Sequence, residues 1–293
     1  MNQSERRLFL IQSLLKERSE YRQLEIPQDA AQQRQLLRGL MNIRPPQDAD
    51  EAFLRVQDDY LRGETAEKGV TDAEELTPVQ PGLYLWQGDI TTLKCDAIVN
   101  AANSGMTGCY IPNHRCIDNA IHTYAGVALR QYCAEMMKKQ GYPEPTGQAK
   151  ITPAFDLPCK YILHTVGPII TGRVTQRDRE LLAACYRSCL ELAAAHGLES
   201  VAFCCISTGE FHFPNDQAAE IAVGTVKAFL TGDPSVKKVI FNVFKDTDKA
   251  IYQRLLGADQ ASADGTAKRR RRDHRRRSGT VHSGGVYLRR GTV

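Results

Sequence analysis

The first 75 residues carry apolar side chains at helical spacing. Leucine and isoleucine recur every three or four positions, which is typical of a helix with one buried face. Ser4 and Asp29 stand where N-cap residues are expected, and a proline follows each of the first two segments. We therefore predict three helices, the third ending near Gly63, and expect them to pack on the rest of the protein rather than on a partner. Their apolar positions are Leu8, Ile11, Leu14, Leu15, Leu36, Leu37, Leu40, Met41, Ala52, Phe53, Val56 and Tyr60.

From Leu83 the pattern changes to short apolar runs separated by amphipathic stretches. The short runs predict strands and the longer stretches predict helices. Such alternation is typical of an α/β fold with a largely parallel sheet, in which ligands bind at the carboxyl ends of the strands. The predicted strands are 83–87, 97–100, 149–152, 161–166, 201–206 and 238–244, and the predicted helices are 117–124, 127–140, 176–196 and 215–230.

After Leu256 apolar residues become sparse and the charge changes sign. Residues 268–293 contain ten Lys or Arg and one Asp, a net charge of +9, whereas the whole chain carries +4 and residues 1–267 therefore carry −5. We predict a disordered basic tail over residues 258–293. Because the rest of the chain is mildly acidic, we expect no nucleic-acid binding except through this tail. A solvated tail without a role is an equally good interpretation.

The overall composition is that of a soluble globular protein. Apolar residues make up 42% and charged residues 25% of the chain, and no apolar run approaches the roughly 20 residues of a membrane span. The nine cysteines are odd in number and scattered, which favours reduced thiols in a cytoplasmic setting over a disulfide framework. Seven of them lie in apolar surroundings and are predicted to be small core residues.

The other two cysteines belong to a candidate metal site. Cys109, His114 and Cys116 form a C-x4-H-x-C pattern in the loop after the second predicted strand. Thiolates and imidazole are the ligands that Zn²⁺ prefers, and three protein ligands leave one tetrahedral position free, as in catalytic zinc sites. We predict one Zn²⁺ per chain here. A polar loop with idle thiols is the alternative, and His122 is more typical of a packing or capping residue than of a fourth ligand.

Three further motifs follow predicted strands. They are G-D-I-T at 88–91, N-A-A-N at 100–103 and S-T-G-E-F at 207–211. Since the carboxyl ends of parallel strands share one edge of a sheet, the motifs can meet at one mouth. In the third motif, glycine lets the backbone approach a ligand, and successive N–H groups can form a nest for a pyrophosphate. The alternative for this motif is an ordinary strand-to-loop turn.

In this order, and with the cysteine- and histidine-bearing loop between them, the motifs resemble those of the macrodomain family, whose members bind ADP-ribose. The loop resembles that of the zinc-containing branch, whose members are protein-ADP-ribose hydrolases. The resemblance covers roughly residues 83–256 and implies a three-layer α/β/α fold with a mixed, largely parallel sheet. Together with the patterns at the two ends of the chain, this predicts a helical extension over 1–75, a macrodomain over 76–257 and the basic tail over 258–293.

The resemblance also implies roles for individual residues. Asp89 would accept a hydrogen bond from the adenine amino group and the Ile90 N–H would contact the ring; the alternative is that Asp89 only caps the next turn. Asn103 and Asp118 would face the distal ribose and are the predicted catalytic residues, Asp118 orienting or deprotonating water. The whole predicted ADP-ribose-binding set is Asp89, Ile90, Asn103, Ile117, Asp118, Asn119, Ser207, Thr208, Gly209, Glu210 and Phe211.

One stretch departs from the family pattern. The chain has C-I-D-N-A-I-H from Cys116 to His122 where other hydrolases of the family have G-V-D-x-A-I-H, and the inserted Cys-and-His segment replaces consecutive glycines. A mechanism built on that glycine loop therefore does not transfer directly. A role for Asp118 as the cap of the following helix is the alternative to catalysis.

These expectations describe a zinc-dependent hydrolase that removes mono-ADP-ribose from modified proteins and releases ADP-ribose. The family implies an ester to a carboxylate side chain as the bond that is cleaved. Two alternatives are an ADP-ribose-binding module in which zinc only braces the loop, and a deacetylase of O-acetyl-ADP-ribose. We expect no membrane partner and a cytoplasmic location, or a nuclear one if the basic tail acts as a localisation signal.

Overall fold

The computed structural model describes residues 1–233 and 235–257. Its strands are β1 (Thr71–Asp72), β2 (Leu83–Gln87), β3 (Leu93–Lys94), β4 (Ala97–Ala101), β5 (Ala149–Pro153), β6 (Tyr161–Thr165), β7 (Ser200–Phe203) and β8 (Lys238–Val243). Six of them form one sheet in the order β2-β8-β7-β4-β6-β5. All neighbours in this sheet are parallel except β5, which is antiparallel to β6 at one edge. The basic tail predicted for residues 258–293 lies outside the described residues.

The central strands are buried on both faces, which explains their apolar runs. Every residue of β7 is buried, as are the first four residues of β4. Ile98, Leu163 and Val201 have no exposed surface, and full burial of such a side chain stabilises the fold by roughly 1.5–3 kcal/mol. The run predicted to continue to residue 206 ends as a strand at Phe203, because the chain turns there into the 207–211 motif. Strands β1 and β3, which pair with each other, were not predicted. They are too short to show an alternation of apolar and polar residues.

Helices cover the sheet in two groups. The helices are α1 (Gln3–Lys16), α2 (Ala30–Ile43), α3 (Glu51–Lys68), α4 (Ile117–Ala125), α5 (Val127–Gln140), α6 (Gln176–Ala195) and α7 (Asn215–Gly232), and residues 246–257 are also helical. Helix α6 packs against α7, and α4 against α5. The predicted three-layer α/β/α fold with a mixed, largely parallel sheet is confirmed. Within the two described ranges, no helix has the length and apolar character needed to cross a membrane.

Helices α1 to α3 form the N-terminal extension, and two of its predicted boundaries are wrong. Asn2 caps α1, not Ser4, because its side chain accepts from the Glu5 N–H while the Glu5 carboxylate accepts from the Asn2 N–H. Helix α3 continues past Gly63 to Lys68. Gly63 lies where α1 crosses closely, since a Cβ there would meet the side chain of Gln3.

The apolar stripes of the extension mainly face one another. Leu10, Ile11, Leu37, Phe53 and Leu61 share a cluster that includes only Val127 as a buried residue from beyond the extension. The contacts with the rest of the protein are largely polar instead. Gln57 accepts a hydrogen bond from the Val127 N–H at 2.9 Å. Further examples surround residues 103–116, which carry Cys109, His114 and Cys116 and are called the metal loop below. The extension therefore has its own small core and a polar interface with α4 and α5.

Candidate active site at the carboxyl edge of the sheet

The three motifs and the cysteine-containing loop lie at one edge of the sheet. Asp89 follows β2, Asn103 follows β4 and Ser207 follows β7, and these three strands run parallel within the same sheet. The carboxyl ends of parallel strands meet at the same edge, where ligands of open α/β sheets bind. The structure thus brings the predicted residues to one mouth, as the order of the motifs suggests.

Asp89 caps a short turn at this mouth. Its Oδ1 accepts hydrogen bonds from the Thr91 N–H at 2.9 Å and the Thr91 hydroxyl at 2.6 Å. Its Oδ2 lies 3.5 Å from Nζ of Lys68, the last residue of α3, and about a third of the side chain is exposed. Ile90, the next residue, is buried. The capping interpretation is therefore seen in the structure, and the adenine contact of Asp89 stays a prediction.

The segment 207–211 forms a tight turn that exposes backbone donors. Ser207 has a φ of 65°, rare for a residue with a side chain, and its carbonyl accepts from the Phe213 N–H at 2.9 Å. In the described part of the chain, the N–H groups of Gly209, Glu210 and Phe211 have no hydrogen-bond partner. Successive free N–H groups of this kind form an anion-binding nest. The segment has the features expected for phosphate binding.

The C-x4-H-x-C residues converge as a metal site requires. The ligand atoms of Cys109, His114 and Cys116 all lie within 4.8 Å of one another, and all three residues are partly buried. Cys109 Sγ is 3.7 Å from His114 Nδ1. Ordinary zinc–sulfur and zinc–nitrogen bond lengths in a tetrahedron give about 3.6 Å for that separation. The separation of Cys109 and His114 therefore fits two ligands of one tetrahedral ion, and Cys116 lies close enough to supply the third.

Cys116 also caps helix α4. Its Sγ accepts a hydrogen bond from the Asn119 N–H at 3.4 Å. The pKa of Cys116 is raised to about 12, chiefly by burial and also by the neighbouring Cys109. Without a cation the thiol stays protonated, so a metal that binds here must displace a proton. The cap interpretation offered for Asp118 is thus wrong, since Cys116 occupies the cap position.

Asp118 is a buried carboxylate directly behind the metal loop. Only 5% of the residue is exposed, and Oδ1 accepts a hydrogen bond from Asn100 Nδ2 at 2.8 Å. His122 Nε2 lies 3.5 Å from the same oxygen. Burial raises the pKa of Asp118 to about 6, opposed by the Asn100 hydrogen bond and by the charge of Arg130. A carboxylate with few partners in a buried setting is typical of an acid or base in catalysis.

His122 belongs to a second group of possible ligands, with Cys133 and His164. All three are buried. His164 uses both ring nitrogens within the protein, Nδ1 facing Asn100 at 3.1 Å and Nε2 facing Thr152 at 2.9 Å. Burial lowers the pKa of His164 to about 3. This group resembles a neutral core network beneath Asp118 more than an accessible metal site.

Two further residues of the predicted ADP-ribose-binding set, Asn103 and Asn119, form hydrogen bonds to the loop itself. Asn103 Oδ1 accepts from the N–H groups of Gly105 and Met106, and its Nδ2 donates to the Gly108 carbonyl at 3.1 Å. Asn119 is fully buried, and its Nδ2 donates to the Ile111 carbonyl at 3.0 Å. Both amides therefore shape the metal loop in this structure. Contacts of Asn103, Ile117 and Asn119 with ADP-ribose stay predictions.

The metal loop and the candidate phosphate-binding segment, residues 207–211, meet through one side-chain pair. His114 Nε2 lies 3.6 Å from Glu210 Oε1, while its Nδ1 faces Cys109. A histidine that binds metal through one nitrogen commonly faces a carboxylate with the other, which fixes its orientation. Glu210 thus has two possible uses, its N–H in the nest and its carboxylate beside His114.

Comparisons with known proteins agree with this architecture. The macro domain family model matches residues 99–222. A protein-ADP-ribose hydrolase of Treponema medium is 57% identical over 260 residues, covering 87% of this chain and 100% of the relative. A protein-ADP-ribose hydrolase of Staphylococcus aureus is 49% identical, covering 86% of this chain and 95% of its own length. The chain belongs to the macro domain family.

A solved macrodomain supports the same assignment. The structure of a mutant Oceanobacillus iheyensis macrodomain with ADPR is 38% identical and covers 62% of this chain and 96% of its own, with a TM-score of 0.57. The resemblance to macrodomains is therefore confirmed for the fold. The N-terminal extension lies outside residues 99–222, which the macro domain family model matches.

Two features of this macrodomain site were missed from the sequence. Phe244 directly follows β8, is 75% exposed, and its carbonyl accepts from Nε2 of Gln87, the last residue of β2. An exposed aromatic ring at the mouth is suited to stacking on a base. Only its position at the end of a predicted strand could have marked it. The second missed feature is Arg130.

Arg130, on α5, is a buried cation that holds the metal loop. Only 5% of the residue is exposed. Nε donates to the Thr107 carbonyl at 2.7 Å and Nη2 to the Cys109 carbonyl at 3.2 Å. Nη1 donates to carbonyls at the end of α2, those of Asn42 at 2.6 Å and Arg44 at 2.7 Å. One guanidinium therefore joins the loop, the extension and α5.

Replacement of Arg130 by lysine tests this clamp. A single ammonium cannot reach both sets of carbonyls, so at least two buried acceptors lose their partner. We expect Arg130→Lys to lose about 3 kcal/mol of the free energy of unfolding, which lowers the melting midpoint by roughly 6–12 °C. Arg55→Lys, at an exposed site on α3, is the control and should leave the midpoint unchanged. Equal midpoints for both variants would show that the clamp is not a stabilising contact.

Proposed function

We propose that this protein is a zinc-dependent hydrolase that removes mono-ADP-ribose from modified proteins. Relatives named protein-ADP-ribose hydrolases, 49% and 57% identical over most of the chain, support a hydrolase. The observation that carries the proposal is the convergence of three parts at one mouth. These are a three-ligand metal group, an anion nest and a buried carboxylate. The macrodomain structure with ADPR supports the choice of ligand.

The proposed ligand lies along the carboxyl edge of the sheet. Adenine would stack on Phe244, with Asp89 and Ile90 at its edge. The pyrophosphate would accept hydrogen bonds from the free N–H groups of residues 209–211. Because His114 lies only 3.6 Å from Glu210, a pyrophosphate on that nest directs the distal ribose towards the metal loop.

Cys109, His114 and Cys116 would hold one Zn²⁺. A bound zinc with an open position supplies a Lewis acid that polarises an oxygen of substrate or water. The two thiols make Zn²⁺ a better match than Mg²⁺ or Ca²⁺, which take oxygen ligands. All nine cysteines are free thiols, which supports the expected cytoplasmic setting.

Asp118 would act as the base. Water adds to the anomeric carbon of the distal ribose, its proton passes to the Asp118 carboxylate, and the bond from that carbon to the acceptor oxygen breaks. The products are ADP-ribose and the free acceptor side chain. An acceptor carboxylate leaves as a stable anion, which supports the ester linkage implied by the family. Asn100 fixes the orientation of Asp118 through its 2.8 Å hydrogen bond.

The metal assignment predicts one zinc per chain in purified protein. Elemental analysis should find that zinc in the wild type and lose it in the double variant Cys109→Ala with Cys116→Ala, because one imidazole alone cannot retain the ion. Cys133→Ala is the control, since Cys133 belongs to the second, buried group of possible ligands. Zinc kept by the double variant but lost from Cys133→Ala would move the metal to that second group.

The activity predicts release of ADP-ribose from a mono-ADP-ribosylated acceptor protein. Release should stop after a chelator and return when Zn²⁺ is added. Calorimetry with ADP-ribose and a parallel assay on O-acetyl-ADP-ribose separate the alternatives. Binding without release from either substrate would identify a binding module. Release of acetate alone would identify a deacetylase.

The role of Asp118 predicts a separation of stability from turnover. Asp118→Asn keeps the shape and removes a buried charge that burial disfavours, so the melting midpoint should hold. Release of ADP-ribose should fall by about 10²–10⁴-fold, as is typical when an acid or base is lost. The control is Asp96→Asn, since Asp96 binds the Glu199 and Ser200 N–H groups at the opposite end of β4. Asp96→Asn should lose stability and keep its turnover. If Asp118→Asn instead loses stability and keeps its turnover, Asp118 is not part of the mechanism.

A further inference from the structure

Helix α2 of the N-terminal extension lies directly on the metal loop. Arg38 Nη2 donates to the main-chain carbonyl of His114 at 3.1 Å. The same guanidinium donates to Asn119 Oδ1 from Nε at 3.2 Å and from Nη2 at 2.9 Å. One side chain of the extension thus touches a metal-binding residue and the first turn of α4.

The contact with Asn119 connects Arg38 to a second ligand. The Asn119 N–H donates to Cys116 Sγ at 3.4 Å, and Asn119 is fully buried. Arg38 therefore bridges His114 and the residue that bonds the Cys116 sulfur. Since the planar guanidinium presents its donors in a fixed fork, it sets the distance between these two parts of the loop.

A second residue of α2 holds the same loop one turn further along. Asn42 is 2% exposed, its Oδ1 accepts from the Asn113 N–H at 2.9 Å, and its Nδ2 donates to Thr123 Oγ1 at 3.0 Å. Between the two, Gly39 lets the loop approach, since a Cβ there would lie 3.2 Å from the Asn113 side chain. The face of α2 formed by residues 38, 39 and 42 therefore packs against residues 112–114 and supports them.

The loop has little structure of its own to replace this support. Between residues 103 and 116 it contains neither helix nor strand, and its internal backbone hydrogen bonds are those of two turns, Met106 to Asn103 and His114 to Ile111. Its shape around the three ligands depends on external contacts.

We infer that the N-terminal extension is part of the metal centre and that Arg38 is a positioning residue for His114 and Cys116. The inference rests on the proposed zinc site. It assigns the extension a role in metal affinity, beyond packing on the macrodomain.

The charge of Arg38 and its contacts with the loop predict opposite changes in zinc affinity when its side chain is removed. A guanidinium near a divalent cation repels it, so loss of the charge alone would tighten zinc binding. Loss of a group that orients metal ligands weakens binding, typically by about 10–100-fold. A rise or a fall in zinc affinity on removing Arg38 therefore decides between charge repulsion and ligand positioning.

The experiment compares Arg38→Ala, Arg38→Lys and Arg34→Ala in the full-length chain. Arg34 lies one turn earlier on α2 and pairs with Glu64 of α3 at 3.0 Å, within the extension, so its variant controls for general loss of stability. Zinc affinity is measured by competition with a chromophoric chelator, and the Co²⁺ absorption spectrum reports ligand geometry. Melting midpoints are recorded with and without zinc.

We expect Arg38→Ala to bind zinc about 10–100-fold more weakly, with an altered Co²⁺ spectrum and a smaller rise in midpoint on adding zinc. Arg38→Lys should change in the same direction although it keeps the charge, and it decides the matter if the alanine variant does not fold. Arg34→Ala should have the zinc affinity and the Co²⁺ spectrum of the wild type. Unchanged or tighter zinc binding in the Arg38 variants would overturn the inference. Wild-type protein that binds no zinc would overturn both it and the proposed metal, whereas zinc binding without hydrolysis would overturn only the activity.

Discussion

The buried guanidinium of Arg130 is the interaction on which the candidate site most depends. Burial of a cation is costly unless its donors are satisfied, and burial does lower the pKa of Arg130, opposed by the nearby Tyr110, Asp118 and Cys109. Main-chain carbonyls satisfy it from two directions, the metal loop and the end of α2. Carbonyls at the C-terminus of a helix carry partial negative charge, so they suit a buried cation. The extension, the loop and α5 thereby form one polar unit.

The sheet and the metal loop contribute to the candidate site in different ways. The parallel strands bring three distant motifs together at one edge, which is rigid because the central strands β4 and β7 are buried on both faces. The metal loop has no such rigidity and takes its shape from side chains of α2 and α5. Behind it, a buried polar network runs from Asp118 through Asn100 to His164 and Thr152. The network orients the proposed base from the interior and leaves the mouth free for a ligand.

The sequence was informative where periodicity or motif order carries the signal. The apolar runs around Ile98 and Ile240 predicted strands, and the order of motifs predicted which loops share the mouth. Capping was less predictable, because Asn2, Ser4 and Cys116 all have side chains able to accept, and only geometry selects among them. Arg38 and Arg130 could not be identified, since Arg130 binds main-chain carbonyls distant in the chain and Arg38 binds the distant His114 carbonyl and Asn119 side chain. Every residue type has a main-chain carbonyl, so the sequence does not show which carbonyl a side chain contacts. Contacts of this kind require a structure.

Four of the eight buried side-chain polar atoms that lack a hydrogen-bond partner in the described residues lie at this mouth, and the others belong to Thr65, Gln131, Glu144 and Asp156. In the described part of the chain, Asn100 Oδ1, both ring nitrogens of His122 and Ser207 Oγ are buried without a hydrogen-bond partner. Each such atom costs about 1–3 kcal/mol of stability, and most buried polar groups avoid that cost. Asn100 and His122 flank Asp118, and Ser207 begins the phosphate-binding segment. A fold that tolerates this cost around a buried carboxylate and a strained turn retains hydrogen-bonding capacity where a ligand and its water would use it.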